Sequence, residues 1–211
     1  MLARQAPNNP LPYFVQSGAT NTANAGVASG AAGTIFASNV TVGNRVILLI
    51  NDLTGDGGTC VPTGLCATWT QLDYSGAGYD NWLFVGKVTT AGEAVTATLS
   101  SGSVWTAAGI ETSHGSGDVA FESSGSSAAP AASVTTIALN QFVITCMTSN
   151  APITSGPGGT WISINKGDFT NALGKSFAYQ IVGPKSTVPS AWTFGATHTW
   201  DAFSAYFPVS P

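Results

Sequence analysis

Asn44-Arg45-Val46-Ile47-Leu48-Leu49-Ile50 is an apolar run behind a polar pair, and Asn140-Gln141-Phe142-Val143-Ile144-Thr145-Cys146 repeats its pattern. Downstream of the first run lie Trp69 in Ala67-Thr68-Trp69-Thr70-Gln71-Leu72, the aromatic run Trp82-Leu83-Phe84-Val85, and Trp105 in Val104-Trp105-Thr106-Ala107. Downstream of the second lie Trp161 in Gly159-Thr160-Trp161-Ile162, the run Phe177-Ala178-Tyr179-Gln180-Ile181-Val182, and Trp200 in Thr199-Trp200-Asp201-Ala202-Phe203. Superposed, Asn44 falls on Asn140, Trp69 on Trp161, Val88 on Val182 and Trp105 on Trp200, with offsets between 92 and 96 residues. Identities are few, so order and spacing carry the repeat. Two copies are too few for a solenoid. The pattern therefore predicts one domain built from two similar halves, over about 34–123 and 132–208.

From residue 34 onward, short runs rich in Val, Ile, Thr, Phe, Tyr and Trp alternate with Gly, Ser, Asn and Pro clusters, the strand-and-turn signature. Strands are predicted near 34–38, 45–51, 67–74, 81–88, 93–99, 103–112 and 118–123, then near 132–138, 141–148, 159–165, 175–182, 189–195 and 199–208. No window carries helical periodicity. The fold class is all-β, and so many short antiparallel strands hide their edges best in a sandwich or barrel. A jelly-roll-like β-sandwich spanning residues 29–211 is expected, its two halves intermingled in two sheets and joined by the Ser/Ala/Pro-rich stretch 123–132. Residues 1–28, with Pro7, Pro10 and Pro12, read as an extended arm, because proline removes backbone donors and favours extended chain. Leu2, Leu11, Tyr13, Phe14 and Val15 are its apolar anchors, pinning it to its own domain or to another subunit.

Composition narrows the function. Charged residues are 8% of the 211, against roughly a quarter in an average protein, while hydrophobic residues reach 44% and glycine numbers 25. Net charge of -4 with six Lys and Arg and no basic cluster argues against nucleic acid as a partner. No run of 18 apolar residues suggests a membrane span, and the start lacks a secretory signal, so synthesis in the cytoplasm is expected.

Few constellations suggest chemistry. Asp52, Thr54, Asp56 and Gly57 follow calcium-loop spacing, but its twelfth place is Thr63 and not Glu, so the loop reads as a turn and no metal or other cofactor is expected. His114 and His198 read as loop histidines without a triad. The carboxylates, among them Asp73, Asp80, Glu111 and Glu122, read as solvated turn and strand-end residues with no glycosidase-like pair. No catalytic residues are assigned. Cys146 reads as a small core residue, whereas Cys60 and Cys66 either close a small loop as a disulfide or stay reduced. Trp69, Trp105, Trp161 and Trp200 hold repeat-related places and are expected in the core. Tyr79, Trp82 and Trp192 fall outside that pairing and are the candidates for an exposed, glycan-stacking surface.

The segments Gly43–Ile50, Ala67–Leu72, Trp82–Thr90 and Glu93–Ile110, with their weaker second copy, resemble a β-sandwich type found in tailed-phage virion proteins and related bacterial surface or tail modules. The resemblance covers residues about 34–208. It implies a jelly-roll-like sandwich and a structural role on the virion, as a capsid decoration or cement protein at the capsid surface. The partners it implies are the major capsid protein and further copies of the chain, in a homotrimer whose arms clasp neighbours. The alternative is a carbohydrate-binding or receptor-binding tail module.

Overall fold

The computed structural model describes residues 14–19, 29–52, 58–75, 80–100, 105–113, 119–136, 141–149, 151–168, 174–183 and 185–207. Within them the chain is all-β, without a helix. The first half contributes β1 (Phe14–Ala19), β2 (Ser29–Thr34), β3 (Arg45–Asp52), β4 (Cys60–Thr63), β5 (Cys66–Ser75), β6 (Asp80–Val88), β7 (Ala94–Leu99) and β8 (Trp105–Thr112). The second contributes β9 (Val119–Ser127), which was expected in the first half and the joining stretch but pairs with β15, then β10 (Ala131–Thr135), β11 (Gln141–Ser149), β12 (Ile162–Asp168), β13 (Gly174–Val182), β14 (Thr187–Ala191) and β15 (His198–Phe207).

The first half forms a five-stranded antiparallel sheet in the order β1-β8-β3-β6-β5 and a smaller sheet β2-β7-β4. The second half copies it: β9-β15-β11-β13-β12 and a smaller sheet β10-β14. In place of β4 the second half has a single bridge, Ser155 to Thr193. Among the described strands, each pairs only within its own half. The expected intermingling of halves in two shared sheets is thus corrected. Each half is a sandwich of its own, because each carries enough alternating strands to cover one face of its large sheet.

The other face of each large sheet is covered by the other half. Ile47, Leu49, Leu83, Val85, Ala108 and Ile110 meet Phe142, Ile144, Cys146, Phe177, Tyr179, Phe203, Ala205 and Phe207 in one apolar layer. The layers therefore stack small sheet, large sheet, large sheet, small sheet. This explains two kinds of sequence pattern. The middle-layer strands β3, β11 and β15 are buried along nearly their whole length, so they lack the strict alternation of polar and apolar residues. The outer strands β7, β10 and β14 alternate exposed and buried residues, as a sheet wetted on one face should.

Register shows how closely the halves correspond. β5 shifts register between Gln71 and Asp73, and β12 does so between Ser163 and Asn165, both 92 residues further on, the offset that takes Trp69 to Trp161. Asp52 pairs with Trp105, and Ser149 with Trp200. One match needs correction. The Val88 N–H donates to the Asn44 carbonyl at 2.8 Å, whereas Val182 pairs with Gln141, so Asn44 falls on Gln141 and not on Asn140. A one-residue slip exchanges the two faces of a strand. With the corrected offset of 97, the inter-sheet residues Ile47 and Leu49 fall on Ile144 and Cys146, which face the same layer.

Across that layer β1 lies against β12 and β5 against β9, so strand order reverses from one large sheet to the other. The Asn81 amide of β6 donates to the Asp201 carboxylate of β15 at 3.2 Å, which places those strands opposite each other. The arrangement is an approximate twofold axis parallel to the strands, with β3 and β11 running the same way.

The body also begins earlier than the arm reading placed it. Residues 14–19 form β1, paired with β8 from Phe14 opposite Thr112 to Ala19 opposite Ala108, and Val15 is half-buried. Glu111 explains part of this: its buried carboxylate accepts hydrogen bonds from the Gln16 amide (2.7 Å), the Thr41 N–H (2.8 Å) and the Asn44 amide (2.6 Å). Gly18 is required where β1 passes over Ile35, since a Cβ there would lie 1.6 Å from the Ile35 carbonyl oxygen. Phe177 tests the inter-sheet layer. It is 1% exposed, and Phe177→Ala is expected to lower unfolding free energy by about 3–5 kcal/mol in urea titrations; a loss near zero would show that the layer is not packed as described.

Candidate binding grooves

The strands deliver two tryptophans to the rims of the two sandwiches. Gly64 (φ 85°) and Leu65 (φ 54°) reverse the chain between β4 and β5, and Trp69 follows three residues into β5. Its indole N–H donates to the Gly64 carbonyl at 3.3 Å, and it packs half-buried against the first half's core. Beside it a groove of about 470 Å³ is lined by Cys60, Pro62, Thr63, Thr68, Gln71 and Phe84 among others. Opposite Trp69 stands Gly86, where a Cβ would come within 2.6 Å of the Cys66 sulfur.

In the second half Gly159 (φ 73°) ends a turn before β12. Trp161 follows, half-buried against the second core, its indole N–H donating to the Pro189 carbonyl at 3.0 Å. A groove of about 400 Å³ lies here, lined by Thr160, Trp161, Gln180, Ser186, Thr187 and Pro189 among others. The Thr160 hydroxyl donates to the Gln180 side-chain carbonyl at 2.7 Å. Among the described residues no charged side chain lines either groove.

These positions invert the expected roles of the tryptophans. Trp82 and Trp192 are each 2% exposed, so neither offers a stacking surface. Trp82 points from β6 into the first core and tilts against Tyr74, ring centroids 5.6 Å apart. Trp192 fills the second core, and its indole N–H has no hydrogen-bond partner among the described residues. Trp200 is in the core as expected, its N–H donating to the Ser127 hydroxyl at 3.0 Å, while the side chain of Trp105 lies outside the described residues. Trp69 and Trp161 were expected in the interior and stand at the rim. Their place one turn after a glycine, at the start of an edge strand, was the available signal.

Other candidates disperse. Leu2, Leu11, Tyr13, Tyr79, His114 and the loop residues Thr54, Asp56 and Gly57 lie outside the described residues, as does the side chain of Phe14. His198 is half-buried, its ring edge-on to Phe194 at 5.6 Å between centroids. Asp80 and Glu111 are buried and not solvated: Asp80 accepts from the Tyr74 hydroxyl (2.7 Å) and the Gly58 N–H (3.1 Å), so both carboxylates hold strands in place. Among the described residues no three His, Cys, Asp or Glu side chains converge on a common point. Comparison with protein-family models, with curated proteins and with solved structures finds no match.

The three cysteines are buried and form no disulfide with one another. Burial pushes the Cys60 and Cys66 thiols up from 9.0 to about 12, and the nearby Asp52 charge adds to the effect at Cys60. In the folded protein these thiols stay protonated where unfolded ones ionise. Unfolding then releases protons above pH 9, so stability falls as pH rises from 9 toward 12. The urea midpoint should drop across that range more steeply in the native protein than in Cys60→Ala/Cys66→Ala; equal slopes would refute the coupling. Thiol labelling of the folded chain at neutral pH should also be slow, since the thiolate fraction falls roughly a thousandfold.

Proposed function

We propose that the protein is a non-catalytic structural component of a phage virion, decorating the capsid surface and bridging neighbouring subunits as a homotrimer. The observation that carries this reading is the way β1 joins the segment before it to the body. Residues 1–13 lead directly into a strand hydrogen-bonded to β8 over Phe14–Ala19, with the Gln16 amide bonded to both Glu111 and the Ser38 carbonyl. Load applied to the segment is shared along the ladder and passes into a sheet buried on both faces. That suits a clamp.

The sequence pattern shared with virion sandwiches supports the same reading, as does a low-charge body whose buried carboxylates brace strands. Leu2, Leu11 and Tyr13 remain as the anchors that a capsid subunit or a neighbouring copy would cover, since Phe14 and Val15 belong to β1. At roughly 1.5 kcal/mol or more per buried large side chain, losing three weakens attachment by about a thousandfold.

Deleting residues 1–13 should therefore abolish cosedimentation with assembled capsids while leaving the melting temperature of the isolated protein within a few degrees of the parent. Undiminished cosedimentation of the truncated chain, or failure of the full chain to bind capsids at all, would reject the proposal.

A further inference from the structure

We infer that the Trp69 and Trp161 grooves are a pair of saccharide subsites, selective for uncharged sugars, that open toward the same end of the molecule. The inference is independent of the virion reading and holds whether or not the protein sits on a capsid.

The ring itself is the first argument. Each indole N–H is already bonded to a backbone carbonyl, to Gly64 in one half and Pro189 in the other. The ring is thus tethered at its nitrogen and has no donor left to offer, so what it can contribute to a ligand is its aromatic carbon surface. An aromatic face suits the C–H surface of a pyranose ring, which is apolar on one side and carries hydroxyls around its edge. The anchoring carbonyls are not equivalents in the repeat, yet both halves hold a half-exposed tryptophan at the same register position. The ring recurs where the means of holding it differs.

Linings give the second argument. Beside the apolar residues, the polar side chains of the linings are hydroxyls and amides: Thr63, Thr68 and Gln71 in the first groove, Thr160, Gln180, Ser186 and Thr187 in the second. In the second groove the Gln180 side-chain carbonyl is occupied by Thr160, which leaves its amide nitrogen as the donor for a sugar hydroxyl. Among the described residues neither lining holds Lys, Arg, Asp or Glu, so acidic and basic sugars would lose their hydration without gaining a partner there.

Position is the third. Trp69 pairs with Gly86 next to Lys87, which pairs with Arg45, the first residue of β3. Trp161 precedes Ile162, which pairs with Tyr179 near the Gln141 start of β11. β3 and β11 run the same way about the approximate twofold axis, so the grooves share one end of the body on opposite flanks. Two grooves built on equivalent tryptophans at one end, walled by β4 and β5 in the first half and by β13 and β14 in the second, match a ligand made of repeating units and give a polymer an avidity gain of roughly a hundredfold over its oligomer. Proline-rich peptides also dock on tryptophan, and they are the competing ligand.

The test is titration of the full chain with neutral hexaoses (maltohexaose, cellohexaose, xylohexaose and chitohexaose) and with decaproline, by calorimetry and tryptophan fluorescence. The expected result is binding of one of the hexaoses at two sites per chain. Trp69→Ala and Trp161→Ala should each remove one site, and the double variant both, with circular dichroism unchanged. Should either alanine variant unfold, Trp161→Phe and Gln180→Ala keep the test open: phenylalanine should retain the second site within about tenfold, whereas Gln180→Ala should weaken it several-fold. No heat or fluorescence change with any of the four sugars, unaltered sugar binding in the folded double variant, or saturation by decaproline in place of the sugars would each overturn the inference.

Discussion

Everything in this molecule depends on the apolar layer between the two five-stranded sheets. Each sheet is already covered on its outer face by the small sheet of its own half, so the inner face is the surface that neither half can bury alone. Phe142, Phe177 and Phe203 are at most 2% exposed, and at about 1.5–3 kcal/mol per buried aromatic three such rings match the whole net stability of many small domains. The consequence is mutual dependence. Either half without the other would expose a face of Ile, Leu, Val and Phe running across several strands, which is the surface that drives association. The approximate twofold axis follows from the same constraint, because two copies of one sheet cover each other most completely in a self-complementary pairing.

The halves differ in how they fill their own cores, and the difference is informative. In the first half Leu48, Ala97 and Gly109 occupy the places that in the second are taken by Thr145, Ser190 and Ser204. There the Thr145 hydroxyl lies 2.8 Å from that of Ser190, 3.0 Å from that of Ser204 and 3.0 Å from the Phe203 carbonyl. The hydroxyls satisfy one another, so burial does not leave an orphaned donor. They also divide the second core into two apolar clusters, where the first core is continuous. An apolar core and a hydrogen-bonded one thus support the same strand order, as the shared inter-sheet layer would allow.

Much of this architecture was legible in the chain. The runs at Val46–Ile50 and Phe142–Cys146 mark apolar strands, and the spacing of Trp69 to Trp161 carries over to the register shift of both edge strands. Two things were not legible, each for a physical reason. Alternation shows that a face is buried but not what buries it, so the sequence did not distinguish two halves sharing their sheets from two sandwiches docked face to face. Repeat equivalence, likewise, shows that two residues share an environment but not whether that environment is wet. Trp69 and Trp161 share one place in the repeat, and that place is the rim and not the core, because the start of an edge strand lies there. Trp82 and Trp192 fall outside the pairing, although both point into their halves' cores.

The repeat can also be read as an internal comparison in which each half is a control for the other. Where both mates are buried and apolar, as with Ile47 and Ile144, the fold alone accounts for them. Where mates differ, the fold tolerates either residue. Ile162 and Ile181, 53% and 49% exposed, occupy the places of exposed Thr70 and Lys87 in the first half. A sandwich with the same strand order forms without an apolar side chain at either position, so internal packing does not demand the two isoleucines. Trp69 and Trp161 fall in a third class, identical in both halves yet half-exposed and held by different carbonyls. A residue that only sealed the rim would need bulk and not a ring of fixed orientation, and Leu or Ile would supply that bulk without a polar group to satisfy. The indole hydrogen bond in each half is therefore better explained by what the ring faces than by what it covers.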